Sequence, residues 1–130
     1  MERTRKRLKD LRNGLLTLHK SLLQSEQSDY ELTVERVNSA GHWLSLLIDD
    51  PRFAWLRELS ALIVRIDEVL DAKEPLESGE ADALVKETRL LLRPAEGGRG
   101  FAARYDEAMQ RDPGVILAHA DMNKVLAQLD

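Results

Sequence analysis

The sequence predicts an all-α fold, a helical bundle of five to six helices. Three observations point to it. Leu8, Leu11, Leu15, Leu18 and Leu22 recur at alternating steps of three and four, a spacing that returns to one helix face every turn. The same spacing recurs at Leu56, Leu59, Ile63, Ile66 and Leu70, and again at Val115, Ala118, Met122, Val125 and Leu129. The apolar residues are mostly leucine, which loses little rotamer freedom in a helix, and no alternating apolar–polar run bounded by turn residues suggests a strand.

The first helix starts near Arg3. Two readings compete for its end. Ser28 and Glu31 have the spacing of a capping box that would open a second helix. Alternatively, Leu22, Glu26, Tyr30, Val34 and Val37 continue one rod of about 35 residues, roughly 50 Å long at 1.5 Å per residue. Because no glycine or proline interrupts Ser21–Tyr30, the single rod is favoured.

Ser39 is placed to cap a short helix running through His42 to Ile48. Asp50-Pro51 reads as a cap followed by proline in the first helical position, opening a helix to about Asp71. Trp55, Leu59, Leu62, Ile66 and Val69 add a second stripe to that helix, so its wide apolar face suits the middle of the bundle. A further helix is expected over about Glu80–Leu92. After the glycine-rich stretch 93–100, Phe101, Tyr105 and Met109 share one face of a short helix. Asp112-Pro113 repeats the cap-then-proline start for the last one.

A chain of 130 residues with no internal repeat or long linker suits a single helical-bundle domain over 1–130. The absence of cysteine removes disulfides, thiolate metal sites and cysteine nucleophiles. The basic start is followed by Thr17, His19 and Lys20 among its leucines, which breaks the apolar core a signal peptide needs. No segment reaches the roughly 18 apolar residues of a membrane span. The expectation is therefore a cytoplasmic protein with no membrane contact.

One segment bears a resemblance. Asp50-Pro51-Arg52-Phe53-Ala54-Trp55-Leu56-Arg57-Glu58-Leu59-Ser60, followed by Leu62-Ile63-Val64-Arg65-Ile66-Asp67-Glu68, resembles stretches in small uncharacterised bacterial all-helical proteins. The resemblance implies a bacterial source and carries no activity.

Reactive motifs are scarce. The di-iron signature of helical bundles places glutamate three residues before histidine. Here Leu16, Ser39 and Ile116 stand at that distance from His19, His42 and His119, and no metal site or other cofactor is expected. With no Gly-x-Ser-x-Gly, the serines read as surface or capping residues, and Asp49/Asp50 and Asp67/Glu68/Asp71 as solvated acids. The sequence thus favours a protein that is not an enzyme. Small-ligand contact is best sought in the glycine-rich stretch and the start of the helix after it, where Arg93, Arg99, Gly100 and Arg104 combine charge-assisted donors with a backbone that can approach an anion.

Met1–Arg12 carries six cations against two acids, and Asp67–Glu87 carries eight acids against two lysines. The two segments are expected to pair, within the chain or between subunits. Nucleic-acid contact by the basic segment ranks lower, because no aromatics interleave with the charges and the net charge is −4. Trp43, Phe53 and Trp55 suit a core or interface role. Together these features predict a protein-interaction module, with a homodimer or another protein as partner. The docking surface is expected along surplus apolar stripe on the long first helix.

Overall fold

The computed structural model describes residues 2–93 and 100–129, and within them the chain is all-helical. The elements are α1 (Glu2–Thr33), α2 (Ala40–Asp49), a 3₁₀ turn (Pro51–Phe53), α3 (Leu56–Asp71), α4 (Ser78–Leu91), α5 (Phe101–Arg111) and α6 (Pro113–Gln128). No helix among the described residues is long and apolar enough to cross a membrane.

The first helix is a single rod, and Ser28 and Glu31 lie inside it instead of opening a second one. At 32 residues it is about 48 Å long. It ends at Thr33, four residues before the expected Val37. The last turn closes with Val34 N–H donating to Tyr30 O at 2.8 Å. Beyond it side chains replace the ladder: Glu31 accepts from the Val37 N–H at 3.2 Å, and the Tyr30 hydroxyl bonds Glu35 at 3.2 Å. Thr33, Val34 and Val37 are β-branched and weak helix formers, so a stop here costs little.

Three caps fall where local sequence put them. Ser39 Oγ accepts from the His42 N–H at 3.0 Å and opens α2. Asp112 accepts from the Gly114 N–H at 2.8 Å and opens α6. Asp50 accepts from the Arg52 N–H at 2.9 Å, but Asp50-Pro51 opens a 3₁₀ turn and the α-helix starts only at Leu56. That turn sinks Phe53 completely into the core.

The hub of the bundle is α1 rather than α3. It packs against α6, α3, α4 and α5, and all five leucines of its ladder are fully buried. The wide face of α3 divides between α1 and α4. Close approach of α6 depends on Gly14, because a Cβ built there would sit 2.8 Å from Met122 Sδ.

The two oppositely charged segments meet within the chain. Arg7 bonds Asp82 at 3.0 Å and the Leu129 carbonyl at 2.9 Å, and Arg12 lies 3.3 Å from Asp67. Arg5 donates to the Leu70 carbonyl at 2.8 Å. At the other end of α1, Arg111 reaches back from α5 to Ser25, Glu26 and Asp29.

Candidate functional site

One apolar surplus lies on α2. Six of the ten residues in Ala40–Asp49 are apolar, yet none is buried. Leu44 and Ile48, one turn apart, are 57% and 58% exposed, and Gly41 and Ser45 complete the outward face. On α1 neighbouring helices cover the ladder from Leu8 to Leu22, while Leu16 and Leu32, outside it, are 45% and 86% exposed.

Little more than the inner edge of α2 is anchored. The Trp43 ring meets Phe53 edge-on with centroids 5.0 Å apart, and Leu46 and Leu47 rest on the core half-buried. At the C-terminal end Arg57 donates from Nη2 to the carbonyls of Leu47 (3.3 Å) and Ile48. A cation there satisfies orphan carbonyls and complements the helix dipole.

A groove of about 450 Å³ opens between α2 and the α1–α3 pair. Leu44, Leu47 and Ile48 form one wall, and Leu23, Phe53 and Leu56 form the opposite wall and floor. Among the described residues three polar side chains line it: His19, Ser60 and Arg57. His19 Nε2 lies 2.9 Å from Ser60 Oγ, which also lies 3.2 Å from the Leu56 carbonyl. If the hydroxyl donates to that carbonyl, Nε2–H donates to the hydroxyl. Burial lowers the His19 pKa, so the ring is neutral near pH 7.

This histidine–serine pair lacks the parts of a nucleophilic site. No carboxylate orients His19 among the described residues, and Ser60 stands inside α3, whose backbone N–H groups are tied into the helix rather than aimed at an oxyanion.

The residues expected to bind an anion fall into two places. Gly100 and Arg104 line a groove of about 360 Å³ together with Arg52, Trp55 and Glu58. Gly100 has φ of +60°, a conformation that favours glycine, and it precedes α5. Arg104 lies 3.5 Å from Glu107 on its own helix. Arg93 lines a separate groove of about 440 Å³ with Arg89, His119 and Asn123. Arg99 lies outside the described residues.

The Arg93 groove borders a network that sequence reasoning missed. The buried Tyr105 hydroxyl lies 2.5 Å from His119 Nδ1, and Nε2 of the same ring is 3.2 Å from the Asn123 amide. Burial pushes the Tyr105 pKa far up and the His119 pKa down, so a neutral tyrosine meets a neutral ring. His119 and Asn123 are four apart on α6, a spacing visible in the sequence, whereas nothing local marks Tyr105 as their partner.

Among the described residues no three histidine, aspartate or glutamate side chains gather as a metal site would require. No protein-family model, no curated protein and no solved structure matches the chain.

Proposed function

We propose that this chain is a non-enzymatic, cytoplasmic helical interaction module that self-associates through the outward face of α2. The carrying observation is that α2 is predominantly apolar and buries none of its residues in its own fold. Leu44 and Ile48 stand as a ridge one turn apart, the arrangement by which a helix presents apolar anchors to a partner.

A second copy suits this face for two reasons. The side chains of Gly41, Leu44, Ser45 and Ile48 are uncharged, so a two-fold contact brings no like charges together there. The ridge also borders a groove, so one surface offers both a projection and a recess. Covering the exposed half of a leucine or isoleucine is worth about 1 kcal/mol, half the value for full burial. Four such side chains across a two-fold contact then supply about 4 kcal/mol, at the low end of what association costs. The ridge alone only offsets that cost, so a measurable dimer also requires the groove walls to be covered, and association is expected to be weak and concentration-dependent.

Light scattering over a wide concentration range tests the proposal. The wild-type mass should rise toward a dimer and Leu44→Glu/Ile48→Glu should stay monomeric, with the same unfolding midpoint as the wild type at concentrations where both are monomeric, because both positions are largely exposed. A wild-type chain that remains monomeric throughout, or a dimer indifferent to the double substitution, overturns the reading.

A further inference from the structure

We propose that the groove behind α2 is a binding site for a medium-chain aliphatic carboxylate, with its tail along Leu23, Leu47 and Leu56 and its head group at Arg57. The site is formed within one chain, so the proposal does not rest on self-association.

The groove has the make-up of a small-molecule site: a volume of about 450 Å³, mostly apolar walls and a few polar groups. The polar groups define the ligand. None of the lining residues among the described part of the chain is acidic, and the single charged one is Arg57. Asp49 and Asp50 follow Ile48 in sequence without lining the groove, and Asp50 is bonded to the Arg52 N–H. An apolar molecule with a cationic head would therefore meet a like charge, one with a neutral head would leave the guanidinium unused, and one with a carboxylate head complements it.

The position of Arg57 sets the polarity of the bound molecule. Its Nη2 lies against the carbonyls of Leu47 and Ile48, which fixes the guanidinium at the C-terminal end of the α2 wall. From there the apolar wall runs back one turn to Leu44. A guanidinium carries five N–H donors, and both bonds to α2 leave from one nitrogen, so Nη1 and Nε can serve an acceptor in the groove. His19 and Ser60 satisfy one another on the opposite side, which lets an alkyl chain pass without orphaning a polar group.

The test compares three probes of equal chain length on the full-length protein: octanoate, octanol and octylammonium. Binding is followed by the NMR shifts of the Leu44, Leu47 and Ile48 methyls and the His19 ring. Trp43 fluorescence, read in a Trp55→Phe background, gives a second readout, because its ring rests on Phe53 in the groove floor. Octanoate should saturate those signals and bind about five- to tenfold more tightly than octanol, the range for a charge-assisted bond at a solvent-accessible cation. Octylammonium should bind most weakly.

Arg57→Gln should bring octanoate down to the level of octanol. Since Arg57 also ties down the end of α2, Arg57→Lys serves as the control and should keep the preference for octanoate. Octanol binding as tightly as octanoate overturns the proposal. So does an octanoate preference that survives Arg57→Gln, a preference lost in Arg57→Lys, or no saturable shift in the groove. Molar mass measured on the same samples keeps failure of this site apart from failure of self-association.

Discussion

Removing the guanidinium of Arg111 should loosen the far end of the bundle by about 2 kcal/mol. Arg111, the last residue of α5, bonds Ser25 at 2.9 Å and Glu26 at 3.1 Å, and lies 3.7 Å from Asp29. The side chain of Glu26 is only 9% exposed, whereas that of Arg111 is 32% exposed. Breaking a fully buried ion pair costs about 3–5 kcal/mol, because the survivor is left charged and desolvated. Water at the guanidinium screens this pair and can reach part of the site after truncation, which brings the expectation for Arg111→Met to about 2 kcal/mol. Urea unfolding monitored by helical circular dichroism measures it as a lower midpoint at constant slope. Glu26→Leu/Arg111→Met should recover much of the loss, because an apolar pair replaces the ion pair without an orphaned charge. The resulting coupling should exceed about 1 kcal/mol. A single-substitution cost below about 0.5 kcal/mol, or no coupling, would refute the idea that this contact holds α5 to α1.

Three further outcomes are expected. Gly14→Val should cost at least about 2 kcal/mol by the same assay, because its branches must enter the space of Met122 and Val125, and Gly14→Ala should cost far less, since better helix propensity offsets the displaced Met122 tip. Stability should be greatest above about pH 6.5 and fall as the pH drops from there toward the lowered folded pKa values of His19 and His119. The sign follows because burial favours the neutral rings, so the unfolded chain binds more protons in that window; replacing both histidines with glutamine should flatten the slope. Asp112→Ala should cost about 1 kcal/mol and Asp112→Asn almost nothing, as the cap on the Gly114 N–H needs an acceptor more than a charge.

What the sequence determined by itself was local. Helix periodicity is set by residues three and four apart, and caps by residues two and three apart, so the ladder of α1 and the caps Ser39, Asp50 and Asp112 were legible in the chain. The long first helix was legible too, except for its last turn, where side-chain bonds from Tyr30 and Glu31 compete with the backbone ladder. Even the pairing of the basic and acidic segments showed as a charge imbalance, although only folding chose Asp82 for Arg7 and Asp67 for Arg12.

The tertiary structure decided which apolar faces are covered. Periodicity shows that a stripe needs a neighbour but carries no record of which helix supplies it. The Leu8–Leu22 ladder found α3 through α6 around it, whereas the α2 face found only an edge of the core. The separation of Arg93 from Gly100 and Arg104, and the meetings of Arg111 with Glu26 and of Tyr105 with His119, join groups brought together by helix packing. The candidate site was hidden for the same reason: His19, Phe53, Arg57 and Ser60 come to border α2 only once α1 and α3 are packed side by side.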